Sequence, residues 1–310
     1  MDFGLHRLVD EELSAYVDES RKFYSLRNSE ANSATQPDLR NIEVLKEVRN
    51  ERSYLTASDR AVDYTARAHG RQVQVRVITP LDDKIHGVYF DIHGGGFYMD
   101  SASRNDMRNV RLADSAGVAV VSVDYRLAPE FPWPAAPDDC ETAALWIISH
   151  SEQMFGTNRL VFGGVSAGSN LAMTTLMRLR GQGLATAAMG AVLEFGAYDL
   201  SGQSPGGRLY SQEFFIEAYA GHVADRTIPD ISPLFGNLKG LPPTLMIVGT
   251  LDVLLEDNLT MATRLAVAGN DVEVRVYPES PHGFTLHSTA MADAAARGAE
   301  TWIRKRIMVE

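Results

Sequence analysis

Cysteine is nearly absent: Cys140 is the single one in 310 residues. No intrachain disulfide, CxxC redox pair or zinc ribbon can be built from it, and one thiol fits a reducing compartment. Basic residues are outnumbered, 29 Lys and Arg against 40 Asp and Glu, for a formal net charge of −11. That balance speaks against nucleic acid or an anionic membrane surface as the main partner, because both need basic patches. Long apolar runs are missing too. The longest, around Val118–Val123, is far short of the ~20 residues a membrane span needs. The first twenty residues carry Asp2, Asp10, Glu11, Glu12, Asp18 and Glu19, the opposite of the basic start of a secretory leader. A soluble, cytoplasmic protein with no membrane span is expected. Repeats and low-complexity tracts are also lacking, and with 45% apolar and 22% charged residues the composition is ordinarily globular. At this length one large core is expected.

Along the chain, residues 1 to about 50 read as helix, with Leu5, Leu8, Leu13, Tyr16 and Val17, then Ile42, Leu45 and Val48, near helical spacing. A break over Asn32–Pro37 divides this region into at least two helices. Val73, Val75 and Val77 alternate with Gln72, Gln74 and Arg76, the pattern of a strand with one wet face at an edge or antiparallel position. Short apolar runs then recur between helical stretches at Gly87–Ile92, Val118–Val123, Leu160–Gly163, Met189–Phe195 and Thr244–Val248, and Val272, Val274 and Val276 close the series. Buried strands interleaved with helices predict a parallel sheet covered on both faces. Ser201–Gly207, rich in Gly, Ser and Pro, and the aromatic Gln212–Tyr219 break this rhythm and read as an insertion lying over the sheet.

The chemistry is carried by four segments. Gly164-Val165-Ser166-Ala167-Gly168 follows an apolar run and precedes a helical stretch, Asn170–Leu179. That strand–turn–helix setting suits a nucleophilic Ser166 on a strained turn, whose crowding requires small flanking residues. His93-Gly94-Gly95-Gly96 lets backbone N–H groups face a cavity without Cβ obstruction. The N–H groups of Gly94 and Gly95, with that of Ala167, are the expected donors to an oxyanion. A phosphate-binding loop is disfavoured, since Phe97, Tyr98 and Met99 follow rather than Lys-Ser/Thr. Asp252 lies just past the run ending Val248-Gly249-Thr250, and His282 follows the last strand. The order serine, acid, histidine is that of an α/β-hydrolase triad, in which His282 is general base then acid and Asp252 orients it. Asp199, Glu256 and Asp257 are rival acids, the last two reading as helix-capping or solvated residues, and His287 reads as a surface residue rather than a rival base.

Taken together, His93–Gly96, Asp124–Glu130, Gly164–Leu171, Asp252–Leu254 and His282–Phe284 resemble the hormone-sensitive-lipase-like (family IV) esterases of the α/β-hydrolase superfamily. The likeness spans roughly residues 70 to 310. It implies an α/β fold with an eight-stranded, mostly parallel sheet flanked by helices and a helical cap. Residues 1–50 would supply cap helices and residues 51–310 the catalytic domain, with a cap insertion at about 201–230. It also implies a serine carboxylesterase that hydrolyses short- to medium-chain acyl esters through an acyl-enzyme, with no cofactor and no metal. A homodimer through the edge run Val272–Val276 is the assembly it suggests. The sequence departs from the family at Val165, where members usually carry a polar or acidic residue. Within Asp124–Glu130, Arg126 is expected to pair with Asp124 or Glu130 as scaffold.

Phe97, Tyr98, Trp133, Phe214, Phe215, Ile216 and Tyr219 are the candidates for an apolar substrate pocket, by their place after the glycine run or in the insertion. An amidase or deacylase on the same triad is an alternative. A non-catalytic ligand-binding receptor is another; receptors of this fold such as the gibberellin receptors lack the histidine that stands here as His282.

Overall fold

Apolar runs with no polar face can only be strands buried on both sides, and the chain turns each of them into one. The computed structural model describes residues 11–33, 37–53, 57–82 and 84–308. Residues 1–10 and 34–36, on which Leu5, Leu8 and part of the Asn32–Pro37 break fall, lie outside the described residues. In chain order the elements are α1 (Val17–Ser33), α2 (Ile42–Ser53), β1 (Val62–Ala68), β2 (Arg71–Ile78), β3 (Gly87–Ile92), α3 (Asp106–Ala116), β4 (Val118–Asp124), α4 (Ala135–Phe155), β5 (Leu160–Val165) and α5 (Ala167–Gly181). Then come β6 (Ala188–Glu194), α6 (Pro205–Arg208), α7 (Phe214–Ala220), β7 (Thr244–Gly249), α8 (Leu255–Val267), β8 (Val272–Tyr277) and α9 (Ala290–Met308).

The eight strands form one sheet in the order β1-β2-β4-β3-β5-β6-β7-β8. Only β1–β2 and β2–β4 pair antiparallel; the other neighbours are parallel. The alternating strand β2 is therefore antiparallel but internal. The edge beside it is β1, whose sequence Val-Asp-Tyr-Thr-Ala-Arg-Ala contains no continuous apolar run and is largely exposed; its only strand signal is the alternation of Val62, Tyr64 and Ala66 with Asp63, Thr65 and Arg67.

Successive side chains of each central strand serve opposite faces. Val88, Phe90, Ile92, Val121 and Phe162 pack with Cys140, Ile147, Leu171 and Leu176 of α4 and α5. Tyr89, Val118, Val120, Val161 and Ile247 pack on the other face with Leu112, Trp302, Ile303 and Ile307 of α3 and α9. Burial of this kind contributes roughly 1.5–3 kcal/mol per large apolar side chain and fixes the parallel strands in register. The carboxyl ends of β3, β5, β7 and β8 then open on the same edge of the sheet, where ligands of such sheets bind.

Smaller clasps hold the segments above this edge. Arg49 of α2 donates to the carbonyls of Tyr98 at 2.8 Å and Ala128 at 2.5 Å and pairs with Glu130 at 2.7 Å. Ser20 Oγ of α1 donates to Glu279 O at 2.7 Å. In α7, Tyr219 stacks on Phe97 with ring centroids 3.9 Å apart, and its carbonyl accepts the Trp133 N–H at 2.8 Å.

Candidate active site

Ser166 sits between β5 and α5 with φ 55° and ψ −118°, a strained conformation for a residue with a side chain. Crowding explains the flanking glycines. A Cβ on Gly164 would lie 2.2 Å from Gly168 O, and one on Gly168 would lie 2.0 Å from Ile92 O. The turn is also tied to β6, since Ser166 N–H donates to Glu194 O at 2.8 Å and Ser169 Oγ reaches the same carbonyl at 2.9 Å.

From this turn the hydroxyl oxygen of Ser166 lies 2.9 Å from His282 Nε2. His282 Nδ1 lies 3.0 and 3.1 Å from the two oxygens of Asp252, whose side chain is fully buried and also accepts the Leu254 N–H at 2.8 Å. A buried carboxylate on Nδ1 fixes the tautomer with Nε2 unprotonated and facing the serine. Phe195 packs edge-on against the imidazole, centroids 5.0 Å apart, and limits ring rotation.

The glycine run is oriented by Tyr125. Its hydroxyl donates to His93 O at 3.0 Å and Gly94 O at 3.1 Å, and its ring stacks on His93 at 4.1 Å. In a trans peptide the N–H points opposite to the C=O, so the N–H groups of Gly94 and Gly95 are turned away from Tyr125. Gly94, Gly95, Ser166, Ala167 and His282 line one cavity of about 1430 Å³. Ala167 is the first residue of α5, so its N–H has no partner within the helix. Among the described residues no protein acceptor takes up any of these three N–H groups. The site thus offers a hydroxyl beside a base and donors converging from two loops.

The rival acids are placed elsewhere. Asp199 accepts from Ser201, Gly202 and Ser204 in its own turn. Asp257 neither caps nor is solvated: it is fully buried and accepts from Tyr198 N–H, Asp199 N–H and Tyr210 Oη. Desolvation pushes its carboxyl up to about 6. His287 is not a plain surface residue; half-buried, it meets Tyr24 Oη through Nδ1 at 3.1 Å, and burial lowers its pKa. Arg126 pairs with Asp139 of α4 at 2.8 and 2.9 Å, not with Asp124 or Glu130; Asp124 accepts the Ala102 N–H and Glu130 holds Arg49.

Of the aromatic candidates, Phe97, Tyr98 and Phe215 line the cavity. Trp133, Phe214, Ile216 and Tyr219 are not among its lining residues, and each has another role. Trp133 Nε1 donates to Asp230 at 2.9 Å, Phe214 lies under the Arg40 guanidinium, and Ile216 and Tyr219 are core. The residues that spacing alone did not single out are Tyr125, Glu194, Thr285 and Arg49. Tyr125 had a signal, its place in Asp124-Tyr125-Arg126 directly after a buried strand. Among the described residues no group of three or more His, Cys, Asp or Glu could hold a metal ion, and no helix is long and apolar enough to cross a membrane.

Residues 88–286, most of the sheet and all of this site, match the family described as alpha/beta hydrolase fold. The chain belongs to that family. Within it, this alpha/beta hydrolase stands with the hormone-sensitive-lipase-like group. It is 30% identical over 239 residues to an ethyl acetate hydrolase of Pseudomonas putida, covering 73% of this chain and 75% of that protein. It is 30% identical over 227 residues to the carboxylic ester hydrolase LipN of Mycobacterium tuberculosis, covering 68% of this chain and 60% of that one. Among solved structures, a hormone-sensitive lipase from a metagenome library superposes with a TM-score of 0.78 at 28% identity, over 93% of this chain and 98% of the other.

Proposed function

We propose that this alpha/beta hydrolase is a serine carboxylesterase acting on short- to medium-chain acyl esters. The carboxylic ester hydrolase class follows from its relatives. The serine mechanism rests on one observation above the rest, the continuous relay from the Ser166 hydroxyl through His282 to buried Asp252.

Ser166 Oγ attacks the ester carbonyl carbon while its proton passes to His282 Nε2. The carbonyl oxygen, now an anion, accepts from the N–H groups of Gly94, Gly95 and Ala167, each such donor contributing roughly 10²–10³-fold in rate. The protonated imidazole, steadied by Asp252, gives its proton to the alkoxide leaving oxygen as the C–O bond breaks. Water then repeats the sequence on the acyl group at Ser166, with His282 again as base. Phe97, Tyr98 and Phe215 give the cavity an apolar flank suited to an acyl chain. The segments 1–50 and 201–230 act as its cap; Phe214, Ile216 and Tyr219 pack within it, and Trp133 braces it through the Tyr219 carbonyl. Pairing of two copies along edge strand β8 and action in the cytoplasm complete the proposal.

Hydrolysis of p-nitrophenyl esters from acetate to dodecanoate tests it, with Ser166→Ala in parallel. Turnover should peak at short or medium chains and fall by roughly 10⁴-fold or more in the alanine variant. A folded wild-type protein that turns over none of these esters, or an alanine variant that keeps its rate, overturns the reading.

A further inference from the structure

The lining of the active-site cavity includes an ion pair, its carboxylate buried, that the triad does not use. Glu194 ends β6, its side chain is 2% exposed, and it pairs with Arg108 of α3. One carboxylate oxygen therefore serves the arginine. The other accepts the hydroxyl of Thr285 at 2.6 Å, three residues beyond His282. The backbone carbonyl of the same glutamate accepts the N–H of Ser166 at 2.8 Å. The next residue, Phe195, has φ 38°, packs edge-on to the His282 ring and also lies against Phe284, with centroids 6.1 Å apart. One residue thus holds the nucleophile turn by its main chain and the histidine loop by its side chain.

We infer that Glu194 is a positioning residue for the reaction, one that sets Ser166 and His282 relative to each other by fixing both segments to the end of β6. The inference rests on the serine esterase reading. Among the described residues no other side-chain hydrogen bond of this kind joins the serine and histidine segments; other ties of the histidine loop, from His282 to Asp252, from Glu279 N–H to Thr250 Oγ1 and from Leu251 N–H to Ser280 O, run to the segment after β7. The arginine supplies the counter-charge that lets a carboxylate stay in this buried place, and its attachment to α3 keeps the carboxylate plane from turning. Thr285 lies in the short turn Phe284–Leu286, where Phe284 is fully buried. Pulling on that turn moves Gly283 and His282 with it.

A plain structural staple between α3 and the sheet would use the Arg108 half of this arrangement and leave Thr285 free to vary without kinetic effect. Replacing Glu194 itself leaves Arg108 buried without its partner and endangers the fold, so Thr285 carries the test. Thr285→Val keeps the shape and removes the hydroxyl; Thr285→Ser keeps the hydroxyl. Steady-state kinetics on p-nitrophenyl butyrate, at a temperature well below melting for all three proteins, should show kcat of Thr285→Val lowered about tenfold with KM within about twofold. Misplacement of reacting groups costs rate in this way without loss of binding. Thr285→Ser should restore kcat to within about twofold of wild type. The rate of Ser166 labelling by a fluorophosphonate should fall and recover in the same ratio. The inference is overturned by a Thr285→Val enzyme with wild-type kcat, by a loss confined to KM, or by a serine variant no faster than the valine one. Wild-type turnover alone reports on the esterase reading, whereas the ratio of variant to wild type reports on positioning, so the two fail separately.

Discussion

The sheet edge that carries the triad and the helices that lie over it are built by different forces. Ser166, Asp252 and His282 are fixed by main-chain ladders and by strands such as β3, β5 and β7, buried along their whole length. Above them α1 and α2 bury only a few apolar side chains, among them Tyr24 and Leu45, and are otherwise attached by isolated hydrogen bonds: Ser20 to Glu279 O, Tyr24 to His287, Arg49 to the Tyr98 and Ala128 carbonyls. A ladder distributes load over many bonds and a buried face; a clasp concentrates it in one. Damage below should therefore abolish folding and chemistry together, whereas damage above should leave the relay intact and change how substrate meets it.

The two ends of α5 give the sharpest form of that contrast. At its start, a Cβ on Gly168 would meet Ile92 O at 2.0 Å and His93 O at 2.6 Å; both are backbone where β3 runs into the glycine run proposed to hold the oxyanion, and neither can swing aside. Gly168→Ala should cost ~3 kcal/mol or more and leave no measurable esterase activity in the protein that remains folded. At the other end, Gly181 has open space around its Cβ position and no positive φ. Gly181→Ala should keep full activity and match or exceed wild-type stability by about 0.5–1 kcal/mol. Urea unfolding and ester hydrolysis on the two proteins check this; an active, stable Gly168→Ala enzyme would contradict the packing of the turn.

Asp257 lies where the two regions join, on α8 but holding Tyr198, Asp199 and Tyr210. Its carboxyl is raised by burial to about 6, against about 3.9 in an unfolded chain, so the native state binds the proton more tightly. Unfolding free energy must then fall as pH rises from about 4 to about 6 and stay low above that, a difference of about 2–3 kcal/mol from this group. Asp257→Asn keeps an acceptor for the same three donors and removes the ionisation. Measured by urea midpoints from pH 4 to 8, the variant should gain on wild type steadily through that window and be more stable at pH 8. A gap between the two proteins that does not change with pH would show that Asp257 is not the titrating group.

How much of this was readable beforehand divides along the same line. The central strands were legible because a strand buried on both faces leaves an apolar run in sequence, and Ser166, Asp252 and His282 stand at the strand ends such runs mark. The hairpin β1–β2 was half hidden: β1 faces water and carries Asp63, Thr65 and Arg67, although the turn at His69-Gly70, with Gly70 at φ 73°, is a local signal for it. Partners distant in sequence were not legible. Arg126 has acids two residues before it and four after, yet bonds Asp139 because the start of α4 comes back beside it. Aromatic residues of the insertion look alike in sequence, and only packing separates Phe215, which lines the cavity, from Tyr219, which lies buried on Phe97.

The smallest effect is expected at a clasp. Arg49 is mostly buried, 15% exposed, and holds two carbonyls, those of Tyr98 and Ala128, on loops already joined by the bond from Ala128 N–H to Phe97 O at 3.0 Å. Its loss therefore loosens α2 without freeing the glycine run, where the His93 and Gly94 carbonyls stay on Tyr125 and the Gly95 carbonyl on the Met99 N–H. Arg49→Ala should cost about 1–2 kcal/mol, the range for charge-assisted hydrogen bonds partly replaced by water. The kinetic change should be a several-fold rise in KM for longer acyl chains with kcat for the acetate ester little altered, because the flank beside Tyr98 is displaced while the relay and the N–H donors are not. Arg49→Lys can reach one carbonyl but not both in the fork geometry of a guanidinium, and should fall between the two. A collapse of kcat on the acetate ester in Arg49→Ala would mean that the cover holds the oxyanion loop in place, and the division between ladder and clasp would have to be redrawn at Tyr98.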